Sequence, residues 1–284
     1  MPETRIQSVN QYLSTIINST QCDLPAPHWL PILCGSSNQL FRAQWDGREL
    51  VLRLNAPAEV AFGACREREA ALLAQLAGPG WMPAVVQNQP QQGWLLMQWH
   101  GERVTQPLVA SDQALLLAAV TQWQLVELND ERLTLDYTAL FAAFEPRVAG
   151  LPLEAPLQAL IQGAHKALAS LPPVPQVVTH HDLHPGNLCQ HEGQLVVLDW
   201  EYGALGNPWF DAAALYKHCG ISAERLAMLP ALAALDQATL NSGLARAVWL
   251  LEVLETLWYW VRGLNGTTLT MKDLMQQTIR LLKQ

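Results

Sequence analysis

Positive charge is scarce in this chain. Its 17 lysines and arginines stand against 25 aspartates and glutamates, a net charge of −8, the wrong sign for a partner such as nucleic acid or an anionic membrane. Cysteine is sparse as well. Cys22, Cys34, Cys65, Cys189 and Cys219 form no Cys-x-x-Cys pair, and an odd five leaves one over in any full disulfide scheme, so they read as the reduced thiols of a cytoplasmic protein. No continuous apolar stretch reaches the roughly 18 residues that a membrane span requires, and the N-terminus shows no basic segment followed by an apolar run. A soluble, unprocessed chain is expected, without repeats, low-complexity linkers or an evident protein partner.

Apolar residues, in contrast, make up half of the 284 positions, enough to build two lobes around a cleft. Ile6 to Asn18 reads as an opening helix. After a proline-rich passage, Leu30–Cys34, Leu40–Trp45 and Glu49–Leu54 read as strands, with Asp46-Gly47 as the tight turn of a hairpin. Arg66 to Leu76 carries an apolar stripe of Ala70, Leu72, Leu73 and Leu76 and reads as a helix ending at Gly78-Pro79-Gly80. Trp94–Trp99 is a further strand, closing at Gly101. From Ser111, with that residue or Asp112 as N-cap, the pattern turns helical to about Leu128. Short β-branched runs at Gln176–Thr179 and Gln194–Leu198 interrupt it, and everything after Asp211 is helical again.

The densest chemistry is His180-His181-Asp182-Leu183-His184-Pro185-Gly186-Asn187, followed by Leu198-Asp199-Trp200-Glu201. Two loops bracketing one short hairpin bring an acid, an amide oxygen and a second acid together. Phosphoryl transfer needs hard oxygen ligands that hold magnesium against the phosphates, and a carboxylate that orients the attacking hydroxyl and receives its proton. This set supplies both. The histidines with Asp182 also suggest a zinc hydrolase, but the helix-borne zinc motif His-Glu-x-x-His lacks its glutamate here, and Pro185 opposes a helix through His184. An ordinary turn accounts for Asp182 and Asn187 alone, yet not for the second acidic loop at a strand end.

His180-x-Asp182-x4-Asn187 followed by Asp199-Trp200-Glu201-Tyr202 resembles the catalytic and metal-binding loops of the aminoglycoside phosphotransferase and choline kinase family, small-molecule relatives of the protein kinases. The resemblance implies an α+β, two-lobed protein-kinase-like fold. An N-terminal antiparallel-sheet lobe, residues 1–101, would bind ATP, and a larger, mainly helical lobe, residues 102–284, would carry the catalytic and acceptor sites. It further implies Asp182 as catalytic base, Asn187 and Asp199 as Mg2+ ligands, His180 as a prop for the loop, and Asp211 as its buttress. Glu201 would assist the metal or the substrate. His181 and His184 are left without an assigned role.

On the nucleotide side, Gly35-Ser36-Ser37-Asn38-Gln39 lies between two expected strands, where backbone N–H groups can approach phosphates. It holds one glycine rather than the full Gly-x-Gly-x-x-Gly pattern. The family's phosphate-contacting lysine is replaced by Arg53, whose planar fork is not equivalent to an ammonium. Glu69, in the Arg-Glu helix that the family shares, is the expected partner of that cation, with Glu67 on another face. Gln98 and Trp99 end the expected hinge strand, whose backbone would meet the adenine edge.

On the acceptor side, Trp249, Glu252 and Trp260 share one face of the helix Trp249 to Val261. That face suits an organic cation, through ring quadrupoles and a counter-charge, and equally suits packing within a helical lobe. The Asp-Trp-Glu-Tyr form of the metal loop, the short chain and Arg53 are most similar to bacterial thiamine kinases. Thiamine is therefore the first expected acceptor, then choline or ethanolamine, then an aminoglycoside or amino sugar. A kinase-shaped pseudokinase, binding without chemistry, is the rival of another class.

Overall fold

The computed structural model describes residues 2–20, 25–32, 38–57, 60–104, 107–191, 193–264 and 267–284. The first lobe runs α1 (Pro2–Thr20), β1 (Leu30–Ile32), β2 (Gln39–Trp45), β3 (Arg48–Leu54), α2 (Arg66–Gln75), β4 (Val85–Gln89) and β5 (Trp94–Gln98). Its strands form one antiparallel five-stranded sheet in the order β1-β2-β3-β5-β4. The β2–β3 hairpin turns at Asp46 and Gly47, with φ of 52° and 69°, the doubly positive geometry that matches strand twist and that Asp-Gly favours.

Side chains alternate across a strand, and β3 uses both of its faces. Leu50, Leu52 and Leu54 join Trp94 and Leu96 of β5 in a core closed by Val9 and Leu13 of α1. Arg53, with Leu95 and Met97, points to the opposite face and lines the cleft. Both faces are thus covered, and Leu50 to Leu54 are buried without interruption. β4 was not expected, because Val85–Gln89 is half polar and flanked by Pro83 and Pro90, which mask the strand pattern.

The second lobe contains α3 (Ala110–Gln124), α4 (Tyr137–Ala142), α5 (Glu145–Val148), α6 (Glu154–Ala169), β6 (Val177–Thr179), β7 (Leu188–His191), β8 (Gln194–Val197), β9 (Ala204–Gly206), α7 (Trp209–Cys219), α8 (Ala223–Leu226), α9 (Gln237–Arg262) and α10 (Met271–Leu281). Helix α3 starts at N-cap Val109, without a side-chain cap, rather than at Ser111 or Asp112. Asp112 sits buried in the first turn, where its charge suits the helix dipole, and accepts a hydrogen bond from Gln190 Nε2 at 3.2 Å. α3 also stops at Gln124, leaving Leu125 exposed, short of the expected Leu128.

The long α9 begins at Asp236, whose carboxylate accepts the Thr239 N–H at 2.8 Å, and ends before Gly263. Two antiparallel pairs, β6 with β9 and β7 with β8, hold the loops between them. Asn187 immediately precedes β7 and Asp199 follows β8, as expected of a hairpin bracketed by two functional loops. Among the described residues no helix is long and apolar enough to cross a membrane.

Candidate active site

The loop after β6 is built around groups that cannot reach water. His180 is fully buried against Trp200, with ring centroids 4.6 Å apart. Its Nδ1 accepts the Asp182 N–H at 3.2 Å, and its Nε2 pairs with the Leu198 carbonyl at 2.9 Å. The second contact needs a donor, so the ring is the neutral Nε2–H tautomer, and burial holds its pKa below the ordinary value. His180 thereby ties the loop carrying Asp182 to the strand end carrying Asp199. Asp211, from α7, accepts the His180 N–H at 2.9 Å and the His181 N–H at 2.9 Å. Burial pushes its carboxyl up to about 7, against those N–H bonds.

His181 has a φ of +68°, a conformation that costs a non-glycine residue about 1 kcal/mol or more. Its surroundings impose it. The Tyr137 hydroxyl accepts the Asn207 N–H at 2.6 Å and pairs with His181 Nε2 at 2.6 Å, and the Tyr137 ring stacks on Phe210 at 4.7 Å. Burial pushes His181 down to about 3, so its ring is neutral and its Nε2 accepts the hydrogen bond that the Tyr137 hydroxyl donates. Gly206 makes room, since a Cβ there would stand 2.5 Å from the Tyr137 hydroxyl. His181 is thus a positioning residue for the loop. Tyr137→Phe leaves the Asn207 N–H without its partner and is expected to lose about 1–3 kcal/mol of stability. Turnover should fall several-fold with nucleotide affinity unchanged. Urea denaturation and a separation of kcat from KM check this.

Asn187 Nδ2 donates to both the carbonyl and Oδ2 of Asp182, each at 2.9 Å. With its amide hydrogens so committed, Asn187 offers its carbonyl oxygen, a hard donor, to a cation. His184 turns back on the loop, its Nδ1 accepting the Gly186 N–H at 3.1 Å and its Nε2 lying 3.8 Å from Asp182 Oδ2. A Cβ at Gly186 would come within 2.7 Å of that ring, which accounts for glycine at this position.

Arg53 reaches the same region from the sheet. It is only 3 % exposed and Glu69 only 2 %. Its guanidinium donates to Glu69 Oε2, to Asp199 Oδ1 at 2.7 Å and to Asn55 Oδ1 at 3.0 Å. Burial alone would lower the Arg53 pKa, but the Glu69 and Asp199 carboxylates hold it above the ordinary value. Glu67 is exposed on another face of α2. Asp199 itself has a φ of +63°, and its side chain keeps 31 % of its surface accessible.

The other nucleotide-side residues fall differently. Gly35, Ser36 and Ser37 lie outside the described residues. Asn38 acts as a clasp, its amide donating to Glu201 Oε2 at 3.0 Å while its carbonyl oxygen accepts the Ala56 N–H at 2.9 Å. Burial, with Asp199 adding to it, pushes the Glu201 carboxyl up to about 8. The Gln98 and Trp99 N–H groups donate within the lobe, to Ala84 and Glu49 carbonyls at 2.9 Å each. The Trp99 ring lies under Arg42, 4.0 Å from its guanidinium carbon.

A cavity of about 650 Å³ joins these groups, lined by Arg53 and Met97 from the first lobe and by Asp182, Asn187, Asp199 and Glu201 from the second. It continues to Tyr202, Leu251, Glu255, Trp258 and Tyr259. The face of α9 chosen from the sequence does not border it. Trp249 donates to the Leu281 carbonyl at 3.1 Å, Trp260 to Thr278 Oγ1 at 2.9 Å, and Glu252 accepts from Arg280 at 2.9 Å. That face packs on α10. The neighbouring stripe, Leu251, Glu255, Trp258 and Tyr259, meets the cleft instead, and its helical spacing was visible in the sequence. Glu255 is held by Lys217 Nζ at 2.6 Å and His218 Nε2 at 2.7 Å. Burial would raise its carboxyl, but His218 and Lys217 bring it below the ordinary value.

A model of the phosphotransferase enzyme family matches residues 28–247. The chain belongs to that family. Solved structures place this phosphotransferase among kinase folds. Choline kinase LicA from Streptococcus pneumoniae superposes with a TM-score of 0.69 at 16 % identity, over 97 % of this chain and 98 % of its own. A choline/ethanolamine kinase family protein from Mesorhizobium loti gives 0.66 at 18 % identity, over 90 % and 87 %. ADP-bound aminoglycoside phosphotransferase APH(2'')-Ib gives 0.61 at 15 %, over 94 % and 95 %. No curated protein sequence matches. At such identities the superpositions establish the two-lobed kinase-like fold of this phosphotransferase and leave its acceptor to chemistry.

Proposed function

We propose that this phosphotransferase moves the γ-phosphate of ATP onto a hydroxyl of a small organic cation, thiamine first, then choline or ethanolamine. The observation that carries the reading is the shared cavity, which the hydrogen-bonded Asp182–Asn187 pair and the Arg53-anchored Asp199 line together with aromatic rings. Asp182 orients the acceptor hydroxyl and receives its proton. The amide oxygen of Asn187 and the Asp199 oxygen not bonded to Arg53 form a hard-oxygen pair that suits Mg2+. These two residues would hold the ion, which when bound neutralises phosphate charge. Arg53 holds Asp199 in place, and Glu201 stands beside it as a largely neutral carboxyl held by Asn38. We place the lobe division at residues 1–101 and 102–284, and the protein in the cytoplasm, where ATP is supplied.

The preference for a cation rests on those rings. Trp258 already carries the Arg262 guanidinium 4.7 Å from its ring centroid, and Tyr202 and Tyr259 stand in the same cavity. Each cation–π contact contributes roughly 0.5–2 kcal/mol, with Asp182 as the nearby counter-charge, whereas the raised Glu201 carboxyl adds little. Glu255 is neutralised by Lys217 and His218 and adds little counter-charge. The test is ADP release with Mg-ATP across thiamine, choline, ethanolamine, amino sugars and aminoglycosides, with Asp182→Ala as control. Release with a neutral or polycationic sugar and none with the monocations would sink the acceptor assignment. Binding of Mg-ATP with no product from any acceptor would indicate a pseudokinase.

A further inference from the structure

We infer that Arg103 binds the polyphosphate of the donor nucleotide from the second lobe, an inference that rests on the phosphotransferase reading. Among the described residues lining the cavity, the arginines and lysines are Arg53, Lys217 and Arg103. Arg53 spends three of its five N–H groups on Asn55, Asp199 and Glu69. Lys217 is bound to Glu255 at 2.6 Å and lies 3.5 Å from Glu252. Arg103 alone of the three has no hydrogen-bond or carboxylate partner among the described residues, and its side chain is exposed to the cleft.

Its backbone is fixed beside the loop that carries Asn187. Arg103 bridges Cys189 of β7, the flanking Val104 N–H donates to the Leu188 carbonyl at 2.9 Å, and the Gln190 N–H reaches the Glu102 carbonyl at 3.3 Å. The strand that follows Asn187 therefore holds the segment that carries the guanidinium. Nη1 lies 3.8 Å from the point where a Cβ of Gly186 would stand. Gly186 precedes Asn187 and has no side chain to block that path. A triphosphate entering a cleft whose other cations are already matched by carboxylates meets this guanidinium as its unmatched partner, and a guanidinium fork suits phosphate oxygens.

The experiment measures equilibrium binding of ATP, ADP, AMP and adenosine to the full-length protein with Mg2+, for wild type, Arg103→Ala and Arg103→Lys. Arg103→Ala should lose roughly tenfold in ATP and ADP affinity, as expected for one charge-assisted hydrogen bond, and keep its affinity for adenosine. Arg103→Lys should recover part of the loss. KM for ATP should rise while KM for the acceptor and the urea midpoint stay put. Equal losses for ATP and adenosine, or an unchanged ATP affinity beside normal wild-type binding, would overturn the role of Arg103 and leave the phosphotransferase reading standing. A wild-type protein that binds no nucleotide overturns both.

Discussion

Asp182→Ala lowers turnover by on the order of a hundredfold or more, the usual contribution of a positioned general base, while ATP binding stays close to wild type. The side chain has two jobs. In the proposed mechanism its carboxylate receives the acceptor's proton, and its Oδ2 holds the Asn187 amide at 2.9 Å. Alanine removes both, so Asp182→Asn serves as the separating variant. An asparagine keeps an oxygen for the Asn187 N–H and loses the basicity. If base action dominates, the two variants fall to similar turnover. If holding Asn187 dominates, Asp182→Asn recovers most of the rate and its Mg2+ dependence resembles wild type. Single-turnover measurements with saturating Mg-ATP distinguish the cases. Near-normal turnover in Asp182→Ala would remove the mechanism.

The largest expected effect on stability belongs to Glu69. Glu69→Ala leaves a buried guanidinium with one partly exposed carboxylate, and breaking a buried pair by removing one partner costs about 3–5 kcal/mol. The remaining Asp199 contact places the expectation near the lower end. Urea denaturation at neutral pH reads this as a lower midpoint with an unchanged slope. The double variant Arg53→Met with Glu69→Leu, which removes both charges, should be more stable than Glu69→Ala alone. A Glu69→Ala protein that denatures like wild type would mean that Asp199 and Asn55 satisfy Arg53 without help. Activity should fall as well, because an Arg53 released from Glu69 draws more strongly on Asp199.

Much of this site could be read from sequence because its residues sit close together along the chain or follow local rules. Asp182 and Asn187 share one loop, Asp199 ends the next hairpin, and Asp46-Gly47 announces its turn. Glu69 could be separated from Glu67 because a helix turns about 100° per residue, which puts only one of them under the sheet. The misses have a common cause. Helix α9 is packed by α6, α7 and α10, so apolar and aromatic residues occupy most of its circumference and periodicity cannot say which stripe faces the cleft. Trp249 and Trp260 were chosen for their rings, yet their N–H groups satisfy Leu281 and Thr278 of α10. Glu255, Lys217 and His218 meet only through the packing of α7 on α9. Arg103 follows β5 in a segment with no motif, and only the bridge to β7 gives it a place in the cleft.

A single guanidinium, Arg53, is bonded at once to the helix of the first lobe and to the acidic loop of the second. It works as a mechanical tie rod. Helix α2 cannot swing away from the Asp199 loop without pulling a buried ion pair apart, so the placement of α2 and that of the Asp199 carboxylate are one variable. A kinase fold tied in this way rests in its assembled arrangement.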